Sequence, residues 1–321
     1  MPAGARLCVA STSGTMSSSI HRLPCSSAAD NPTMSEAEIG WTAVRQMSVE
    51  AAEALLPAFE RYAGRNGRLS VQTDPRLHRD GDALVAQAVE FAGLAPNIIV
   101  KIPATESGVA AMEEATYRGV SINATVSFSV PQALAVGEAV ERGLRRREAE
   151  GLDISTMGPV VTIMVGRLDD WLKVVVARDG IDIDPEHLEW GGVAAFKQAY
   201  RIFGERGYRS RLLSAAFRNT LQWSEFIGGD VVISPPFAWQ QKIQASGVSA
   251  EPRMDNPVDP AILESLLRLE DFRRAYEPDG MTPDEFATFG PTARTLRQFL
   301  AADADLDALV REVIIPNPDP A

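Results

Sequence analysis

Residues 97–128 read "NIIVKIPATESGVAAMEEATYRGVSINATVSF" and contain two short apolar runs on either side of a helix-like segment. The runs 97–103 and 120–128 are almost continuously apolar, as strands are when both faces of a parallel sheet are covered. Between them, apolar residues recur at helical spacing. The stretch therefore predicts a β-strand, an α-helix and a second, parallel β-strand.

The same strand and helix unit recurs along the chain. Further apolar runs occupy 67–73, 160–166, 211–217 and 230–235, with amphipathic stretches between them. Six strands that alternate with helices predict an α/β fold with a parallel sheet, and such folds build their sites at the carboxyl ends of the strands. Polar or charged residues interrupt the apolar runs near these ends: Gln72, Lys101, Asn123, Thr125, Thr162, Arg167 and Arg218.

The chain before the repeat has two parts. Residues 1–34 are rich in Ser, Ala and Gly and resemble a transit peptide only weakly, so we expect a disordered tail or a misassigned start. Ser35 and Glu38 then form a capping-box pattern, which begins a helical stretch that continues to Gly64 as one long helix or two short ones. We place the barrel-like catalytic domain at 35–248.

Residues 249–321 contain helical stretches separated by turn signals such as "DNPVDP". They predict a helical C-terminal extension packed on the sheet domain. The segment "AYEPDGMTPDEF" resembles a calcium loop, but Ala275 and Phe286 stand at two ligand positions, so we expect no calcium there.

The composition limits the partners and cofactors. A net charge of -12 argues against binding to nucleic acid or acidic membranes, because the surface repels phosphate groups. Cys8 and Cys25 are the only cysteines and the three histidines lack metal-ligand spacing, so we expect no metal. No stretch has the apolar length needed to cross a bilayer, and we expect a soluble, cytoplasmic protein.

Lys101 is one of four lysines in a chain that otherwise uses arginine. Lys173, Lys197 and Lys242 fit exposed helix faces, whereas Lys101 lies inside an apolar strand. Desolvation lowers the pKa of a lysine, and a neutral amine forms a Schiff base with a carbonyl group, which serves as an electron sink for breaking the neighbouring carbon–carbon bond. A lysine buried against a carboxylate is the structural alternative, and the local sequence leaves both open.

Four segments together resemble the transaldolase family of class I aldolases. The first, 98–129, has the strand lysine, an Ala-Thr-Glu-x-Gly helix start and an Asn-x-Thr-x-x-Phe-Ser strand. The others are "TIMVGRLDDW" (162–171), "SAAFRN" (214–219) and "GGDVVISP" (228–235), in the family's order. The resemblance extends over residues 67–240 and is highly specific as a composite.

The resemblance implies a (β/α)8 TIM-type barrel and an enzyme of carbohydrate metabolism that transfers a dihydroxyacetone unit between sugar phosphates, as in the pentose phosphate pathway. Catalysis would fall to Lys101, Gln72 and Thr125. The substrate would be bound by the other polar residues at the strand ends: Asn123, Thr162, Arg167 and Arg218. The two arginines would hold the phosphate, which suits the guanidinium fork. No cofactor is implied, and assembly into a homo-oligomer is left open.

Two residues depart from the family pattern within the site. Gln72 stands where the family has its acid/base glutamate, and an amide transfers no proton, so Gln72 would orient a water. The related fructose-6-phosphate aldolases also have a glutamine there. Asp74 is a candidate proton shuttle or else a turn residue before Pro75. Met164 replaces an aromatic residue that is usual in the family.

The family's first two strands have no evident counterpart. The segment "DNPT" (30–33) resembles the end of the second strand but leads straight into a helix signal. We therefore expect a barrel that is incomplete or irregular at its N-terminal strands, closed by the tail, covered by a partner, or lacking its true N-terminus.

Three functions stay open on the sequence. The leading one is a transaldolase-like enzyme that uses a Lys101 imine. The second is a catalytically impaired sugar-phosphate binding protein, suggested by Gln72 and the missing strands. The third is a simple aldolase of the fructose-6-phosphate aldolase type, suggested by Gln72.

Overall fold

The computed structural model describes residues 33–316 and residue 318. The predicted N-terminal tail therefore lies almost wholly outside the described residues, as do Cys8 and Cys25. Nothing below concerns their structure.

Strands and helices alternate as the sequence predicts. In chain order the elements up to the last strand are α1 (Glu36–Arg61), β1 (Leu69–Gln72), a 3₁₀ helix (Pro75–Leu77), α2 (Gly81–Ala92), β2 (Ile98–Pro103), α3 (Glu106–Tyr117), β3 (Ile122–Thr125), α4 (Val130–Ala149), β4 (Val160–Ile163), α5 (Val165–Asp179), α6 (Pro185–Leu188), α7 (Gly191–Arg206), β5 (Arg211–Ala215), α8 (Leu221–Ser224) and β6 (Val232–Ser234). After them come α9 (Phe237–Ala245), α10 (Pro260–Leu267), α11 (Glu270–Tyr276), a second 3₁₀ helix (Pro283–Glu285) and α12 (Gly290–Ile314).

The strands form one parallel sheet of six, in the order β1 to β6. In the register, Lys101 of β2 lies opposite Gln72 of β1 and Asn123 of β3. The sheet curls into a half-barrel, which confirms the α/β fold and the parallel sheet. Within residues 33–316 the strands do not close into an eight-stranded barrel.

The first helix begins as its capping box predicts. The Ser35 backbone N–H donates to Glu38 Oε2 at 2.7 Å, and the Glu38 N–H donates to Ser35 Oγ at 3.3 Å. The pattern that fitted one helix or two forms the single helix α1, with Pro57 inside it. Near its start, Glu36 accepts a hydrogen bond of 2.8 Å from Arg311 Nε of α12, so the two helices are joined.

The two faces of the sheet have different roles. Val100 and Ile102 of β2 are fully buried on the side covered by helices. Because side chains alternate along a strand, Ile99 and Lys101 lie on the other, concave face. There Ile99 packs in a small apolar cluster with Val160 and Leu213. This cluster forms an apolar surface beside Lys101.

The helices that follow residue 249 pack against the same core as the sheet. Leu266 of α10, Phe272 of α11 and Leu296 of α12 belong to the main apolar cluster. No helix within residues 33–316 is long and apolar enough to span a membrane.

Candidate active site

Lys101 lies in the middle of β2 with a half-buried side chain. The packing around it removes water from the amine and lowers the pKa of Lys101. Among the residues that the structure describes, none forms a hydrogen bond or an ion pair with its Nζ. A buried lysine with a purely structural role would require a carboxylate partner, and Lys101 has none among the described residues.

Lys197 of α7 shows the opposite arrangement. Its side chain is 8% exposed, and Nζ donates to Glu225 Oε2 at 2.8 Å and to the carbonyl oxygens of Arg253 and Asn256 at 2.9 Å each. All three ammonium hydrogens are thus used. The prediction of an exposed helix position for Lys197 is wrong, because its partners lie 28 to 59 residues away in sequence.

A cavity of about 160 Å³ opens beside Lys101 on the concave face. Arg65, Arg68 and Arg211 line the end of the cavity nearest the amino ends of the strands. The remaining polar lining comes from strand residues that face inward: Ser70, Lys101, Asn123, Thr125, Thr162 and Ser234. The structure therefore brings four of the predicted site residues into one cavity: Lys101, Asn123, Thr125 and Thr162.

A short chain of hydrogen bonds fixes the amide beside the lysine. Thr162 Oγ1 donates to Asn123 Oδ1 at 2.7 Å, and Asn123 Nδ2 donates to Ser70 Oγ at 3.2 Å. Thr125, two residues further along β3, is buried and also lines the cavity. Met164, at the end of β4, completes this wall with an apolar side chain. The arrangement offers polar groups to hydroxyls of a bound molecule without placing an acid next to Lys101.

Gln72 and Asp74 occupy different positions. Gln72 adjoins Lys101 in the register, and its Nε2 makes long hydrogen bonds of 3.3 and 3.4 Å to the carbonyl oxygens of Thr73 and Lys101. The Asp74 carboxylate instead accepts from the Arg76 backbone N–H at 2.8 Å and forms an ion pair with the same arginine at 2.7 Å. Asp74 therefore has the contacts of a turn residue, and neither Asp74 nor Gln72 is among the residues that line the cavity.

Arg167 and Arg218 lie near each other beyond the carboxyl ends of β4 and β5, outside the cavity lining. Burial and the charge of Arg218 both lower the pKa of Arg167. Arg218 is held by Asp170 Oδ2 at 2.8 Å and by the carbonyl oxygens of Ala216 and Phe217. The two cations form a compact positive site in an acidic protein.

Two features bring these arginines together. At Gly166 a Cβ atom would lie 2.1 Å from the Ala216 carbonyl oxygen, so only glycine allows the start of α5 to approach the loop after β5. Asp169, which is fully buried, accepts from Gln222 Nε2, while Gln222 Oε1 accepts from the Arg218 backbone N–H. Burial raises the pKa of Asp169 well above its ordinary value.

The sequence did not predict the residues that hold Arg167 in place. Arg167 Nη1 donates to Thr295 Oγ1 at 3.1 Å and to Gln298 Oε1 at 2.5 Å, both on α12. These residues lie 128 and 131 positions after Arg167. The only local signal is Thr295, a polar residue on the buried side of the amphipathic helix, whereas Gln298 is exposed. Within the described residues, no group of His, Cys, Asp or Glu is placed to hold a metal ion.

With this geometry in place, comparison with known proteins identifies the family. The family model described as Transaldolase/Fructose-6-phosphate aldolase matches residues 26–283. The chain belongs to this family. The predicted site residues all fall within the matched segment, whereas α12 lies after it.

The chain is also similar to individual members of the transaldolase family. It is 35% identical over 170 residues to "Transaldolase 1" of Streptomyces avermitilis, a match that covers 51% of this chain and 45% of that protein. It is 36% identical over 158 residues to "Transaldolase" of Thiobacillus denitrificans, covering 49% and 44%. "Transaldolase 1" of Streptomyces coelicolor is 37% identical over 225 residues, covering 61% and 58%. The chain thus spans about half the length of the curated relatives it matches.

Proposed function

We propose that the protein is a transaldolase-like enzyme, a transferase of aldehyde and ketone residues that forms a Schiff base at Lys101. The observation that carries this proposal is the Lys101 amine itself, which is desolvated, has no partner among the described residues and faces a cavity lined by Asn123, Thr125 and Thr162. A lowered pKa increases the fraction of neutral amine at physiological pH, and only the neutral amine attacks a carbonyl carbon.

The proposed reaction begins when Lys101 Nζ adds to the carbonyl of a ketose phosphate and water leaves. The resulting iminium accepts the electron pair of the adjacent carbon–carbon bond, so an aldehyde departs and a three-carbon enamine stays on the lysine. The enamine then adds to a second aldehyde, and water releases the new ketose. Proton transfer in this scheme uses a water beside Gln72, because the amide carries no titratable proton.

Substrate binding would divide between two groups of residues. Asn123, Thr125 and Thr162 would hold the sugar hydroxyls near the imine. Arg167 and Arg218 would bind the phosphate, since two adjacent guanidinium groups provide several charge-assisted donors. This division supports sugar phosphates as the substrates, with no metal or cofactor required by the chemistry.

We propose further that two more strands, from outside residues 33–316, close the half-barrel into a (β/α)8 barrel. The family fold and the curl of the sheet support this. We also propose that the chain divides into a catalytic domain at 35–248 and a helical extension from 249. A cytoplasmic location and assembly into a homo-oligomer are further parts of the proposal.

The direct test is to trap the imine. The protein is mixed with fructose 6-phosphate, reduced with borohydride and digested, and the peptide that contains Lys101 is weighed. We expect a covalent adduct on wild type and none on Lys101→Ala, while Lys242→Ala, an exposed lysine variant, keeps the adduct. Wild type that binds the sugar phosphate at saturation, seen as a rise in Tm, but forms no adduct would instead be a silent binding protein.

Gln72 favours a second candidate, a simple aldolase that releases the three-carbon ketone. Without a carboxylic acid beside the imine, proton transfer differs from that of the family pattern, and this favours hydrolysis of the three-carbon intermediate over its transfer to an acceptor. Product analysis with and without an aldehyde acceptor separates the two. Release of dihydroxyacetone at the same rate in both mixtures indicates the aldolase, and dependence on the acceptor indicates the transferase.

A further inference from the structure

Helix α12 crosses the carboxyl end of the sheet and contacts the loops that follow several strands. Near its start, Thr292 Oγ1 accepts from Gln132 Nε2 at 3.3 Å, and the same amide nitrogen donates to the carbonyl oxygens of Ala104 and Val126. Further along, Asp303 forms an ion pair of 3.1 Å with Arg76, in the loop after β1. Between these two contacts, α12 meets Arg167.

The contact with Arg167 uses one particular edge of the guanidinium group. Nη1 donates to both Thr295 Oγ1 and Gln298 Oε1, which uses its two hydrogens. Nε is buried and has no hydrogen-bond partner among the described residues. The side-on edge of the guanidinium, made by Nε and Nη2, therefore has no partner among the described residues, and it is this edge that forms a fork with two oxygens of a phosphate or carboxylate.

We propose that Thr295 and Gln298 are positioning residues that set the affinity of this protein for the phosphate group of its substrate by fixing the orientation of Arg167. The inference rests on the proposed role of Arg167 in the function above. It extends the site to α12, which lies after the segment matched by the family model.

The chemistry of the two anchors supports this role. Both are neutral, so they orient Arg167 without neutralising the charge that a phosphate needs. Arg218 already forms an ion pair with Asp170, which makes Arg167 the less compensated cation of the pair. Burial, followed by repulsion from Arg218 and Arg294, lowers the pKa of Arg167 against the opposing charge of Asp170, so its position is disfavoured without other contacts. Fixed hydrogen bonds hold the side chain there and reduce the ordering cost when the phosphate binds.

The test compares phosphorylated and unphosphorylated substrates. Thr295→Val and Gln298→Ala each remove one anchor, and Arg297→Ala, at an exposed position on the same helix, serves as the control. We expect KM for fructose 6-phosphate to rise about tenfold in each anchor variant, as for one lost charge-assisted hydrogen bond, with kcat retained. The kcat/KM for unphosphorylated fructose and all constants of Arg297→Ala should change less than twofold, a threshold roughly matching ordinary surface substitutions.

Equal losses with both substrates would overturn the inference, because they would indicate a general structural role for α12. Gln298→Glu provides a second check: it keeps the fold and adds a carboxylate that competes with phosphate, so we expect a larger rise in KM than for Gln298→Ala. If wild type proves inactive, the proposed function fails while the inference is still tested by calorimetric titration with fructose 6-phosphate. An unchanged Kd in Gln298→Ala would then refute it.

Discussion

Replacing Gly166 by alanine should separate the two arginines without altering either. Gly166 lies in the first turn of α5, directly before Arg167, and its backbone needs no left-handed conformation. A Cβ at this position would lie 2.1 Å from the Ala216 carbonyl oxygen and 2.8 Å from Arg218 Cγ. The obstacle to alanine is therefore the approach of the two segments.

The size of the effect follows from these distances. An ordinary contact begins near 3.4 Å, so the start of α5 and the loop after β5 must move apart by about 1.3 Å, and a misplacement of about 1 Å at a binding group can cost roughly 100-fold in rate. We expect kcat/KM for fructose 6-phosphate to fall about 100-fold in Gly166→Ala, with a stability loss of about 1–3 kcal/mol from overpacking.

The assay is steady-state kinetics with denaturation in urea, and the matched control is Gly204→Ala. Gly204 lies in α7 with open space around its Cβ position, so alanine should leave the kinetics unchanged and stabilise the helix by up to about 1 kcal/mol. If Gly166→Ala retains kcat/KM within about threefold of wild type, the close approach does not determine the arginine geometry, and the reasoning fails.

Two further predictions concern the lysines. Because desolvation lowers the pKa of folded Lys101 below the ordinary value of 10.5, the unfolded chain binds the proton more tightly between the two pKa values. The free energy of unfolding should therefore rise with pH across that range, and kcat/KM should rise as the pH passes the lowered pKa of folded Lys101. Lys101→Met should abolish this stability component, and a flat stability profile in wild type would contradict the reasoning. Lys197→Met should lower the free energy of unfolding in urea by about 3–5 kcal/mol, because it leaves Glu225 buried without its cation, whereas Lys101→Met breaks no ion pair and should cost far less. Equal costs for the two variants would show that the Lys197 contacts contribute little.

The parts of the fold that depend on nearby residues are predictable from the sequence. The capping box of Ser35 and Glu38 predicts the start of α1, and the apolar runs place all six strands. The alternation of side chains along β2 places Lys101 on the face opposite Val100 and Ile102. These features arise from contacts within a few residues or from a regular period, so the sequence carries them directly.

The parts of the site that depend on distant residues are not predictable in this way. Arg167 is evident as a cation at a strand end, but Thr295 and Gln298, which hold it, lie 128 and 131 residues later in the chain. Lys197 looks like a surface residue until Glu225 and the chain around Arg253 fold over it. In each case the charge of the side chain is evident from the sequence, but its partner is determined by tertiary packing.

The position of α12 has a consequence for biosynthesis. The ribosome adds Gly290–Ile314 after all six strands, and Arg311 then joins Glu36, which lies 275 residues earlier. A nascent chain that already has these six strands and Lys101 in place therefore still lacks the anchors of Arg167. Because contacts between distant residues form late, the surroundings of Lys101 are assembled before Arg167 is anchored; under the proposed function, the amine would precede a fixed phosphate site.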